Sequence, residues 1–216
     1  MNRNESLYSL AHAGVVDLAI VGGGATGLGV ALDAALRGYS VALLESYDFA
    51  GGTSSRSTKL LHGGVRYLAQ GNVSLVREAL HERQSILAIA PHLAAPLSFV
   101  MPAYAWWKLP FYTIGLKLYD LLAGRAGLGA TEWLSRRETA QALPGVQVRG
   151  LHGGVKYWDA QFDDARLALA IAHTARAAGA NVLNHVKVAN LQALEGQSDG
   201  AKWALDWQNQ KGVEHG

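Results

Sequence analysis

Three glycines and one carboxylate carry the clearest chemistry in this sequence. Gly22, Gly24 and Gly27 are spaced Gly-x-Gly-x-x-Gly, and Glu45 stands 18 residues beyond the last of them. Glycine at the first position permits a tight turn. At the second it leaves no Cβ in the path of a pyrophosphate, and at the third it lets the following helix lie close to the strand. A helix N-terminus at this point offers unpaired N–H groups and a partial positive charge to an anion. An acid about 20 residues further on accepts hydrogen bonds from ribose hydroxyls. Such an acid disfavours a 2′-phosphate, so NADP does not suit the site, while FAD and NAD both stay open on these four residues.

A second group follows. Thr53, Ser54, Ser55, Ser57, Thr58 and Lys59 place five hydroxyls and a cation within seven positions. A solvated loop has a similar composition, but ligands of strand–helix–strand folds bind at the carboxyl ends of the strands, and this segment leaves one of those ends. His62-Gly63-Gly64 then lets backbone come close to something flat or bulky. Arg66 adds a planar donor fork suited to phosphate or carboxylate, where each charge-assisted hydrogen bond contributes about 1.5–3 kcal/mol. Tyr67 stands beside it.

The elements that must position these groups are legible around them. Leu18 to Val21 is a short apolar strand running into the glycines. A helical run extends to Arg37 and breaks at Gly38, and a second apolar strand, Val41 to Leu44, ends on Glu45. That is a βαβ unit. Residues 46–72, rich in Gly, Ser and Thr, predict a loop. Val73 to Ala90 has apolar residues at helical spacing, and Pro91 and Pro96 close it before a strand at Leu97 to Val100. Tyr104 to Leu122 is apolar and aromatic, interrupted by Lys108, Lys117 and Asp120. Ser135 and Glu138 form a capping box for a short helix ending before Pro144. A strand is expected at Val155 to Trp158, a helix at Ala165 to Ala178 stopped by Gly179, and strands at Asn181 to Val188 and Trp203 to Trp207. The strings HGGVRYL (62–68) and HGGVKYW (152–158) echo each other, but their flanks differ and no fixed period supports a repeat.

The chain has 216 residues, half of them hydrophobic, which suits one large domain or one domain and part of another. The formal charge is +2 without a block of like charge, which gives no sign of nucleic-acid binding. With no cysteine, disulfides, thiolate metal sites and cysteine nucleophiles are excluded, and no metal site is expected. Residues 1–13 read as a flexible leader without a signal-peptide core. No uncharged apolar run reaches the roughly 18 residues of a spanning helix.

Taken together, IVGGGATGLGVALDAALRGYSVALLE (20–45), TSSRSTKLLHGGVRYL (53–68), HERQSILAIAPHLAAPLSFVMP (81–102) and YWDAQFDDARL (157–167) resemble the FAD-dependent glycerol-3-phosphate dehydrogenases. The resemblance implies an α/β fold: a Rossmann-like FAD-binding domain (14–90 and 160–216, incomplete) with an inserted part of a mixed-sheet substrate domain (91–159), the chain being an N-terminal portion of a longer enzyme. It implies oxidation of sn-glycerol 3-phosphate to dihydroxyacetone phosphate, with hydride passing from C2 to flavin N5 and electrons onward to a membrane quinone. Gly22, Gly24, Gly27 and Glu45 would hold the ADP half of FAD. Thr53, Ser54, Ser55, Lys59, Leu60, His62 and Gly63 would line the pyrophosphate and isoalloxazine, and Val188 would meet the adenine through its backbone. Arg66 and Tyr67 match positions facing the substrate phosphate. No motif marks a general base. The alternatives are an oxidase that passes electrons to oxygen, or a non-catalytic FAD-binding truncation. The aromatic and basic residues of Tyr104 to Leu122 suit a membrane surface. A cytoplasmic enzyme, peripheral on the inner face of the cell membrane and with a homodimer as its assembly, completes the expectation.

Overall fold

The computed structural model describes residues 3–12, 14–68, 70–194 and 202–209, the Arg66 side chain excepted. Two compact units result: residues 1–57 with 164–216, and residues 58–163.

The first unit is built on a parallel sheet. Helix α1 (Arg3–His12) leads to strand β1 (Leu18–Val21), helix α2 (Ala25–Leu36) and strand β2 (Val41–Leu44). β2 is apolar at every position and buried throughout, as a strand covered on both faces must be. It lies between β1 and a later strand, with Leu18 opposite Val41 and Leu44 opposite Leu183. Among the described strands β1 is therefore at the edge, and its Val21 is 61% exposed. At the entrance to both strands, Asp17 Oδ2 accepts the Ser40 N–H (2.8 Å) and hydroxyl (2.6 Å), and the Asp17 N–H donates back to Ser40 Oγ. The Ser40 hydroxyl and N–H hold the Asp17 carboxyl below its usual range.

Residues 46–72, expected as a loop, contain a one-turn helix α3 (Thr53–Arg56), a two-residue strand β3 (Leu60–Leu61) and a second one-turn helix α4 (Val65–Leu68). Elements this short complete no apolar period, so pattern alone does not reveal them. From β3 onward the chain forms the second unit. Helix α5 (Val73–Ile89) begins at Asn72, whose side chain accepts the Leu75 N–H. Strand β4 (Ala94–Ala103) is longer than expected and takes in both Pro96 and Pro102. It pairs with one neighbour among the described strands, and an edge strand tolerates a missing N–H that points away from its partner. Helix α6 (Lys108–Ala123), strand β5 (Glu132–Ser135) and helix α7 (Arg136–Ala142) follow. The expected capping box is present: the Ser135 N–H donates to Glu138 Oε2 at 2.8 Å and the Glu138 N–H to Ser135 Oγ at 3.3 Å. Ten-residue β6 (Gly153–Phe162) organises the sheet, with β4 along one edge and β3 and β5 sharing the other. Every described pairing in this inserted part is antiparallel.

Helix α8 (Asp164–Ala177) returns to the first unit and packs on α2. Its Ala168, Ala172 and Ala175 are small enough for close approach, and they join Leu28, Ala31, Val41 and Leu43 in one core. Strand β7 (Asn181–Leu183) extends the parallel sheet. Strands β8 (Val186–Ala193) and β9 (Trp203–Asn209) pair antiparallel. On the other sheet face Leu44, Leu183, Val186 and Trp207 pack around Leu7 of α1. Residues expected as a flexible leader thus include a helix with a buried leucine, tied by Arg3 to Asn184 and Asn209 at 3.0 Å each.

The boundaries of the compact units fall at 57/58 and 163/164, whereas the sequence placed them at 90/91 and 159/160. α5 explains the difference, because Val76 and Leu80 pack with Tyr119 and Ala123 of α6. The two HGGV segments also differ: 62–68 is a turn and helix, and 152–158 enters a strand, so they are not a repeat.

Candidate dinucleotide site and the turn beside it

In the first unit the chain leaves β1 through Gly22, whose φ of +111° strongly favours glycine. A Cβ at Gly27 would overlap the Gly22 carbonyl oxygen, so α2 closes on the turn at a distance no side chain allows. Gly24 is the N-cap of α2, without a side-chain cap, and a Cβ there would meet nothing within 4 Å. Open space therefore lies against the backbone where the helix N-terminus presents its N–H groups.

Glu45 closes the arrangement. Its Oε2 accepts the Gly23 N–H at 2.6 Å and its Oε1 the Tyr47 N–H at 2.7 Å. A carboxylate offers about four acceptor positions, so capacity remains for ribose hydroxyls. Gly23, the unspecified position of the motif, is constrained as well: a Cβ there would stand 2.7 Å from Phe49 and 2.9 Å from the Glu45 Cβ. Ala50, at a φ of +58°, donates its N–H to the Gly23 carbonyl at 2.9 Å, and Ser55 Oγ donates to the Ala50 carbonyl at 2.6 Å. Ser54 is buried, while Thr53 and Ser55 are exposed on α3. The Glu45 carbonyl accepts the Val186 N–H, which sets Val188 two residues along β8 from the acid. Hydrogen bonds of backbone and side chain thus link the glycine turn, Glu45, Ser55 and the start of β8. These residues fit a dinucleotide: an uncapped helix start, open space over a glycine, and an acid with acceptor capacity.

In the second unit, Lys59 has a φ of +59° and its carbonyl accepts the Phe162 N–H, while Leu60 pairs with Gln161 in the sheet. His62 is 55% exposed, and Gly63 and Gly64 beneath it are buried. The Gly63 N–H donates to both oxygens of Asp159, at 2.9 and 3.1 Å. Asp159 is itself paired with Arg83: Nη1 donates to Oδ1 at 2.9 Å and also to the Tyr119 hydroxyl at 3.2 Å, and Nη2 donates to the Ala126 carbonyl at 2.7 Å. Arg83, Asp159 and Tyr119 are each about 1% exposed. Burial, and next the nearby Asp159 carboxylate, push the Tyr119 phenol well above the usual tyrosine range. A buried ion pair is a weak stabiliser on balance, and apolar replacement is often neutral or stabilising by about 1–4 kcal/mol. Breaking one partner alone typically costs about 3–5 kcal/mol. None of these three residues stood out in the sequence, because their contacts join α5, α6, β6 and the Gly63 turn across 36 to 96 residues. Tyr67 is 42% exposed on α4. The Arg66 side chain, expected to meet a substrate phosphate, lies outside the described residues.

The parallel strands, the glycine turn and the acid closing it define a dinucleotide-binding α/β unit with an inserted antiparallel sheet. The FAD dependent oxidoreductase family matches this chain over residues 17–214, and the chain belongs to that family. The chain is 48% identical over 197 residues to the mitochondrial glycerol-3-phosphate dehydrogenase of Homo sapiens, covering 88% of this chain and 27% of that protein. The Saccharomyces cerevisiae enzyme of the same name is 43% identical over 198 residues, with 88% and 30% covered. Among solved structures, the glycerol-3-phosphate dehydrogenase of Bacillus halodurans, complexed with FAD, superposes with a TM-score of 0.71 at 30% identity, covering 99% of this chain and 34% of that one. The FAD-bound L-alpha-glycerophosphate oxidase of Mycoplasma pneumoniae, at 17% identity, a TM-score of 0.59 and 89% and 48% coverage, shares the fold. The chain spans about a quarter to a third of the length of these curated relatives.

Proposed function

We propose that this chain is the cofactor-gripping portion of an FAD-dependent dehydrogenase that oxidises sn-glycerol 3-phosphate to dihydroxyacetone phosphate. The observation that carries the proposal is the Gly22–Gly27 turn with its open face at Gly24 and its closure by Glu45, in a chain 48% identical to enzymes named for that substrate. Gly22, Gly24, Gly27 and Glu45 hold the ADP half. Thr53, Ser54, Ser55, Lys59, Leu60, His62 and Gly63 line the pyrophosphate and isoalloxazine, and Val188 meets the adenine. Arg66 and Tyr67 take the substrate phosphate. Bound FAD supplies a hydride acceptor at N5 for the substrate C2–H, and the electrons pass on to a quinone.

The decisive experiment is purification of the full-length protein followed by turnover assays. A yellow protein, bleached by glycerol 3-phosphate and reoxidised by a soluble quinone analogue, supports the reading. A colourless protein that FAD does not reconstitute ends it. Peroxide production matched to turnover would favour the oxidase instead.

α6 supports peripheral membrane contact as part of the same reading. Trp107, Phe111, Ile114, Leu118 and Leu121 repeat at helical spacing and are all exposed, with Trp106 beside them at 73%. Lys108 and Lys117 border this stripe. Not every aromatic of this stretch faces outward: Tyr112 packs against the cluster of Leu109 and Val155, and Tyr119 is buried. Among the described residues no helix is long and apolar enough to cross a membrane, so the stripe would lie in the interface of the cell membrane's inner face. Homodimer formation belongs to this reading too, and sedimentation of the full-length protein measures it. Flotation of that protein with anionic vesicles is expected. Its absence, or its persistence after Trp107→Glu with Phe111→Glu, removes α6 from the role.

A further inference from the structure

The Arg83–Asp159–Tyr119 cluster is buried beneath the turn formed by the buried Gly63 and Gly64. The turn is pressed onto it: a Cβ at Gly63 would overlap the Tyr119 hydroxyl and stand 2.7 Å from Leu80. Both Asp159 carboxylate oxygens accept the Gly63 N–H, at 2.9 and 3.1 Å. Arg83 reaches the same carboxylate from α5 at 2.9 Å and fixes its own far end on the Ala126 carbonyl at 2.7 Å. The Tyr119 hydroxyl, from α6, accepts from Arg83 at 3.2 Å. Residues of three elements thus meet around the carboxylate that accepts this peptide N–H, while His62, the residue just before it, is exposed.

We propose that Asp159 is a positioning residue, held by Arg83 and Tyr119, that fixes the His62–Gly64 turn at the height and orientation a flavin ring requires. This rests on the reading that the turn faces the isoalloxazine. The physical reason is that a two-glycine turn has little stiffness of its own. A buried, charge-assisted bond holds it far better than a neutral or solvated one. A ring stacked against the peptide then meets a fixed surface, and fixed placement of the reacting groups is where rate is gained.

The test uses the full-length holoenzyme and two variants. Asp159→Asn keeps the side-chain shape but removes the charge and one acceptor. Tyr119→Phe removes one hydroxyl and leaves the ion pair, so it serves if Asp159→Asn does not fold. Amide hydrogen exchange in peptides covering Leu60–Leu68 is expected to accelerate about tenfold or more in Asp159→Asn, the scale of one lost charge-assisted bond. The flavin absorption bands should shift and kcat fall about tenfold. Tyr119→Phe should show the same pattern, weaker. If the wild-type protein takes no FAD, the functional reading fails and this inference with it. If wild type takes FAD and turns over, but the folded variants match it in flavin spectrum and in kcat, the positioning role is refuted while the functional reading stands. Faster exchange without a spectral or kcat change would also refute it, since the contact would then be structural alone.

Discussion

At the residue scale, the glycine turn separates two kinds of damage. At Gly24 a side chain enters open space, so without FAD Gly24→Val should melt within a few degrees of FAD-free wild type, the scale of about 1 kcal/mol for a changed N-cap, yet fail to retain flavin. At Gly27 the side chain meets the Gly22 carbonyl oxygen. Gly27→Val should lose both flavin and about 1–3 kcal/mol of stability, the usual scale of overpacking. Thermal melts paired with flavin content check both; a Gly24→Val protein that is as yellow as wild type would contradict the site. The turn at Gly22 and the close packing at Gly27 were legible in the sequence because a glycine's effect on a turn is local. Gly23 was not, since its constraint comes from Phe49 and the Glu45 side chain folding back on it. Arg83, Tyr119 and Asp159 were not either. In sequence they are ordinary members of two helices and a strand, and the ion pair exists through the pairing of distant elements.

At the element scale, the small side-chain clips allow direct measurement. The Asp17 carboxyl, held low by Ser40, is ionised in the folded protein at pH values where it would be protonated when unfolded. Its contribution is present above the ordinary aspartate value of about 3.9 and is lost as pH falls below it. Melting temperatures of wild type and Asp17→Asn should therefore differ near neutrality and converge in acid. A gap that stays constant with pH would disprove the linkage. Ser135→Ala, which removes the cap of α7, should cost about 1 kcal/mol by chemical denaturation. Long periodic or capped elements such as α5 and α7 were readable from spacing. α6 was less so, because it is apolar on both sides: Leu109, Leu116 and Tyr119 are buried, and Phe111, Ile114 and Leu121 are exposed. Spacing cannot tell which apolar stripe the core covers.

At the scale of the whole molecule, cofactor and fold are linked by mass action. A ligand that binds the folded state at a hundredfold excess over its Kd stabilises it by about 2.7 kcal/mol. Added FAD should raise the melting temperature of the wild-type protein and leave Gly24→Val unmoved, and a rise in both would place FAD elsewhere. The first unit is also discontinuous in sequence: β1, α2 and β2 are joined to α8 and β7 across all of residues 58–163. On a ribosome, the first half of the parallel sheet therefore emerges long before the strand and helix that complete its core, whereas the inserted stretch emerges whole. During that interval Leu28, Ala31 and Leu43 have no α8 to cover them, and nascent chains in such a state are the ones chaperones bind and proteases cut. Synthesis speed through the inserted stretch thus becomes a determinant of yield, one that no property of the finished fold records.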